Sequence, residues 1–169
     1  MSRIERLNDL AYAGPPAGKW LFEVQLPYDL DFGDVSSRVL SIDIGGYKLP
    51  TTAGFPFFSN LEISLPESME TGDVTILFWE DEKGTVTHFL EKWAELMYDK
   101  ETGDFKPPAN YWRNIWVRLL KGDKSPWRSL KIINCYPTTW YEYNLSYEDG
   151  SYLGIQVSIQ HSGIQSSWY

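Results

Sequence analysis

Few residues in this chain have the types and spacing that chemistry needs. Glu80, Asp81 and Glu82 stand together in a tight turn closed by Gly84, and adjacent carboxylates are the raw material of a metal site or an acid–base pair. Acids crowded into such a turn are ordinarily solvated surface. The two histidines, His88 and His161, have no Cys, His or carboxylate partner at ligand spacing, so no zinc site is expected. Cys135 closes a β-rich run, where a small thiol packs rather than attacks. Gly45-Gly46 lacks the later glycine, the lysine and the helix that a phosphate cradle requires, and G-x-S-x-G is missing. The expectation is a protein that is not an enzyme, with no catalytic, metal or cofactor-binding residues and no cofactor.

With no chemistry to arrange, the elements must serve something else. The chain has 169 residues, which fits one domain able to bury roughly 70% of its unfolded surface. Its 23 acidic and 15 basic side chains leave a net charge of −8, which opposes any binding of nucleic acid by phosphate neutralisation. An acidic surface can still sit beside DNA without gripping it. A lone cysteine closes no intrachain disulfide, and Met1-Ser2-Arg3-Ile4-Glu5 leads into no apolar run, so synthesis in a reducing cytoplasm without a membrane anchor is expected. Eight tryptophans, eleven tyrosines and eight phenylalanines exceed what a core of this size uses, which places some at a partner surface.

Residues 1–18 end in Ala13-Gly14-Pro15-Pro16-Ala17-Gly18 and read as an arm ahead of a single domain, 19–169. Period-two alternation then predicts strands over Trp20–Leu26, with Trp20, Phe22, Val24 and Leu26 inward, and over Val39–Ile44, with Leu40, Ile42 and Ile44 inward. Gly45–Asn60 shows no periodicity yet holds Tyr47, Phe55, Phe57 and Phe58, the mark of a functional projection rather than slack. Further strands are expected at Leu61–Leu65, Val74–Trp79, Ile115–Leu120, Leu130–Cys135, Trp140–Tyr147 and Tyr152–Gln160, about eight in all. The last of them sets Leu153, Ile155, Val157 and Ile159 against an uncharged polar face. One helix interrupts the series, from Thr85 or Thr87 to Met97, carrying an apolar stripe of Val86, Phe89, Leu90, Trp93, Leu96 and Met97.

Two stretches carry a family resemblance: V-T-I-L-F-W-E-D-E-K-G-T-V-T-H-F-L-E-K-W-A-E-L-M-Y-D, from Val74 to Asp99, and I-N-C-Y-P-T-T-W-Y-E-Y-N-L-S-Y-E-D-G, from Ile133 to Gly150. With Trp93 in the helix and Tyr136-Pro137-Thr138 ahead of the last hairpin, the chain resembles the tail-tube proteins of contractile-tailed bacteriophages and their relatives, the haemolysin-coregulated tube proteins of type VI secretion. That resemblance implies a mainly β, antiparallel sandwich or barrel-like subunit with one flanking α-helix, its inner sheets joining into a ring barrel. It implies hexameric rings stacked into the inner tube of a phage tail, a conduit for DNA ejection in the virion, assembled in the host cytoplasm. Its partners would be further copies of the chain, the tail sheath, the baseplate and the tape-measure protein, with DNA passing through the lumen unbound. Tyr47, Phe55, Phe57 and Phe58 would lie in the loop that meets the neighbouring ring, and Glu23, Gln25, Asp43 and Glu62 are candidates for the lumen. The final stretch, S-I-Q-H-S-G-I-Q-S-S-W-Y, departs from the family, which keeps open a baseplate-proximal initiator of the same fold. A carbohydrate-binding β-sandwich is the alternative of another class.

Overall fold

Alternation at period two becomes strand where one face can be buried, and eleven strands occur among the described residues. The structure, a computed structural model, describes residues 21–30, 35–48, 50, 55–57, 61–63, 70–139 and 153–169, with the backbone alone for 55–57 and 61–63. The strands are β1 (Phe22–Gln25), β2 (Val39–Ile44), β3 (Tyr47–Lys48), β4 (Phe55–Phe57), β5 (Leu61–Ile63), β6 (Glu70–Thr71), β7 (Val74–Trp79), β8 (Arg113–Leu120), β9 (Pro126–Pro137), β10 (Gly154–Gln160) and β11 (Gly163–Trp168). A 3-10 turn, Val35–Arg38, leads into β2. Helix α1 (Thr85–Met97) follows β7, and a single turn, α2 (Pro108–Tyr111), precedes β8.

Seven strands form one antiparallel sheet in the order β1-β8-β9-β10-β7-β2, with β11 attached to β9. The long strand β9 is the pivot. Its first part lies between β8 and β11, and its last residues, Tyr136 and Pro137, pair with Gln160 and Ile159 of β10. The change of partner falls at a bulge, where the β8 register slips between Arg113 and Ile115 and Asn134 takes a left-handed φ of 55°. Beyond Pro137 the ladder continues with side-chain help: Thr138 N–H (2.8 Å) and the Thr138 hydroxyl (3.0 Å) both donate to Ser158 O, and the Thr139 hydroxyl accepts from Ser158 N (3.0 Å). That is a physical use for the Pro-Thr-Thr motif.

Bending at β9 wraps the sheet around one core, in which Ile76, Phe78, Ile115, Val117, Ile132 and Ile155 are buried together. Helix α1 adds to that core. Its buried residues are Val86, Phe89, Leu90, Trp93, Ala94 and Met97, the predicted stripe with Ala94 added and Leu96 only half-buried at its margin. Trp93 and Phe89 meet edge to face at 5.7 Å, and the Trp93 indole N–H donates to Tyr111 O at 2.8 Å, which ties α1 to α2.

Several expectations are corrected. Leu40, read as inward, is 53% exposed, because the β2–β7 register shifts between Val39 and Ser41 and the bulge turns Val39 toward the core in its place. Adjacent apolar residues at the start of Val39–Ile44 were the available signal. The segment read as an aperiodic loop holds strands: β3 pairs with β6, and β4 pairs with β5 through Phe55↔Ile63 and Phe57↔Leu61. Strand β11 lies in a serine-rich stretch with no clear alternation, and its pairing with β9 comes from the long strand beside it. In the hairpin between β8 and β9, Lys124 takes a positive φ of 65°. The expected arm at 1–18, the inward Trp20 and the strand Trp140–Tyr147 lie outside the described residues.

Candidate functional site

The residues that first drew a chemical reading are scattered and committed to structure. Glu80 accepts from the backbone N–H groups of Val86 (Oε1, 3.0 Å) and Thr87 (Oε2, 2.7 Å), and Asp81 Oδ1 accepts from Thr85 N (3.0 Å). These are the N–H groups that the first turn of a helix leaves orphaned, and neither Thr85 nor Thr87 is the cap: Gly84 holds that position in a left-handed conformation with φ 68°. The acidic turn is therefore a helix cap rather than solvated surface, and within it Glu82 and Lys83 are the exposed residues. The Thr85 backbone N–H chiefly holds the Asp81 carboxyl below its ordinary range, with Arg38, 2.9 Å away, adding to it against the opposing effect of burial.

Cys135 is buried, and desolvation pushes its thiol up to about 12, which makes it inert at neutral pH. His88 is exposed on α1, whereas His161 is buried at the bend between β10 and β11. Among the described residues no three potential ligands gather to hold a metal ion, and no helix is long and apolar enough to cross a membrane.

What the fold does build, besides the free edge of β11, is an open strand at each end of the sheet path. β1 pairs only with β8 and β2 only with β7, so each presents an unpaired edge among the described residues. The two edges flank a cleft of about 1130 Å³, walled by Val24 of β1, Ile42 of β2 and Leu119 of β8, with Leu40 on its rim. The 3-10 turn closes one end, where Ser36 Oγ accepts from Leu26 N at 3.0 Å. A sheet curled this far and left unsealed is a barrel lacking a seam. Unpaired edges next to apolar surface favour strand addition from another chain.

The candidate residues fall in different places. Glu23 and Gln25 are exposed on the outward face of β1, where Glu23 meets Arg118 of β8 at 3.2 Å. Asp43 is exposed on β2, in register with Thr75, which is in turn in register with Ser158. These residues thus sit at opposite ends of the strand order. Glu62 pairs with Pro56 in the β4–β5 ladder, of which only the backbone is described. Tyr47 is 47% exposed, yet its hydroxyl donates to Ile164 O (2.7 Å) and accepts from Ile164 N (2.8 Å). Phe55 and Phe57 lie on β4, and Phe58 lies outside the described residues. Sequence reasoning missed the Tyr47–Ile164 link and the cleft, since both join residues far apart in the chain and leave no local pattern.

The antiparallel sheet bent around one core, with helix α1 packed into it, is a fold shared with tube and cap subunits of contractile injection systems. Among solved structures, the chain is similar to the tube-terminating cap of the anti-feeding prophage, with a TM-score of 0.70 and 11% identity over 93% of this chain and 94% of that one. It is similar to a subunit of the sheath–tube complex of an extracellular contractile injection system (0.69, 10%, 95% and 97%) and to Hcp1 from Flavobacterium johnsoniae (0.52, 15%, 89% and 97%). No family model matches the chain, and no curated protein matches it in sequence. The fold therefore agrees with the tail-tube resemblance read from the two motifs.

Proposed function

We propose that this chain is a structural subunit of the inner tube of a contractile phage tail, forming hexameric rings that stack around a channel for DNA. The observation that carries this is the likeness of fold to tube and cap subunits along nearly the whole chain, 93% and 95% of it in two cases. The open edges of β1 and β2 support it, because neighbours in a closed ring can complete both. A net charge of −8 suits a conduit that repels DNA rather than binding it. Sheath, baseplate and tape-measure proteins would be its partners in the virion, assembled in the host cytoplasm. Glu23, Gln25, Asp43 and Glu62 remain candidates for the lumen, and Tyr47, Phe55, Phe57 and Phe58 for contact between rings.

A second reading places the subunit at one end of the tube. It is favoured by likeness to a tube-terminating cap, to a sheath/tube terminator and to a chain of the anti-feeding prophage baseplate. Negative-stain microscopy of the purified protein is expected to show rings with a central channel, and copy number in the intact particle separates the two readings. Many rings mean tube, and a single ring means an end subunit. A strict monomer at high concentration, with no ring in the particle, contradicts both.

A further inference from the structure

We propose that the free edge of β11 in one copy pairs antiparallel with the free edge of β1 in the next, and that the exposed Trp168 seats in that neighbour's cleft. This seam deepens the ring reading and rests on it. Strands β1, β8, β9 and β11 run antiparallel in that order, with β1 and β11 at the two borders. An even number of alternating strands sets β11 opposite in sense to β1, and rotation about a common axis keeps that sense. Copies joined head to tail therefore extend one antiparallel ladder. β11 also lacks the charge, proline and bulge that usually guard an edge: it reads G-I-Q-S-S-W, and its register with β9 runs unbroken from Gly163 to Trp168.

The hydrogen bonds show which backbone groups each edge leaves open. In an antiparallel pair, successive residues turn their N–H and C=O groups alternately toward the partner and away from it. Leu120 N–H donates to Leu21 O, so Glu23 and Gln25 face β8 while Phe22, Val24 and Leu26 face away. Leu26 N–H is already taken by Ser36 Oγ (3.0 Å). On β11, Tyr169 N–H donates to Trp127 O, so Gln165 and Ser167 face β9 while Ile164, Ser166 and Trp168 face away. The Tyr47 hydroxyl occupies both the N–H and the C=O of Ile164. Each edge is thus stopped at one end by a side-chain hydroxyl, with Phe22 and Val24 open on one and Ser166 and Trp168 on the other. One antiparallel register matches them all: Phe22 against Trp168 and Val24 against Ser166, with the stopped residues Leu26 and Ile164 falling together where the seam ends.

The side chains agree with that register. Phe22, Leu119, Arg128 and Trp168 are successive cross-strand partners and share one face of the sheet, the face on which Phe22, Val24 and Leu119 line the cleft. Within its own subunit Trp168 meets Trp127 at 5.5 Å and Arg128 at 4.6 Å, yet it is 67% exposed. In the seam its indole lies beside the neighbour's Phe22, which gives an exposed tryptophan and an apolar hollow a common use.

Ser166→Pro tests the seam, because it deletes an N–H that points away from β9 and leaves the β9–β11 ladder in place. Wild type is expected to form rings in sedimentation and negative stain. Ser166→Pro is expected to remain monomeric at the concentrations where wild type is assembled, with an unchanged denaturation midpoint. Should Ser166→Pro fail to fold, residue-resolved hydrogen exchange of the wild type decides. The Phe22, Val24, Ser166 and Trp168 amides should gain about tenfold or more protection between dilute monomer and ring, and those of Glu23 and Gln25, bonded to β8 in both, should not. Rings from folded Ser166→Pro, or rings in which those four amides stay as open as in the monomer, overturn the seam and leave the tube assignment standing. A wild type that forms no ring overturns both.

Discussion

Glu80 acts at a distance of six and seven residues, reaching the Val86 and Thr87 N–H groups that begin α1. Glu80→Ala strips both of their acceptor and is expected to cost about 1–3 kcal/mol in chemical denaturation, since the orphaned donors lie at a partly buried helix end. Asp81 contributes a pH dependence whose sign follows from its lowered pKa. The carboxylate held by Thr85 and Arg38 stabilises the fold fully above the unfolded value and ceases to do so as pH falls through the folded one. The difference in Tm between wild type and Asp81→Asn is therefore expected to be largest near about pH 6 and to fade toward about pH 3. Cys135, buried with its thiol at about 12, should resist alkylation in the native protein and react at once in denaturant. Rapid labelling of the folded chain would contradict that placement.

At the scale of elements, α1 is the plug that lets a bent sheet share one core. Trp93→Ala removes its fully buried centre and the bond to Tyr111, and should cost about 3–5 kcal/mol by denaturant titration. Leu40→Glu is the opposite case. An exposed bulge residue beside the cleft should tolerate the change within about 0.5 kcal/mol as a monomer, yet abolish ring formation in sedimentation. Rings that persist in that variant would remove Leu40 from the contact. The elements legible in the sequence are those whose patterns are local: β2 and β7 fall at the expected bounds, and α1 follows its 3.6-residue stripe from Thr85 to Met97. Leu40 was misread because a bulge breaks the alternation by one residue. β3 and β4 were hidden because two or three residues are too few to show a period. The cap formed by Glu80 and Asp81 could be recognised only once the helix start was fixed in space.

For the whole molecule, the sheet path ends in two strands that, among the described residues, do not pair with each other, around a cleft with apolar walls. A monomer left in that state exposes backbone donors and acceptors beside buried-type side chains, the arrangement natural sheets avoid by closure or by a neighbour. Closure by identical copies around an axis meets the need at both edges at once. The site was only half legible in advance: the aromatic segment at 45–60 and the acidic balance were visible as composition, but the seam exists only after β9 bends and brings β1 opposite β2. A cryo-EM reconstruction of the assembled protein, at a resolution that separates strands, tests this most directly. The expected map has the free edges of β1 and β2 hydrogen-bonded to adjacent copies around a hollow axis. A map in which both edges face solvent, or a protein that stays monomeric at every concentration, would contradict it.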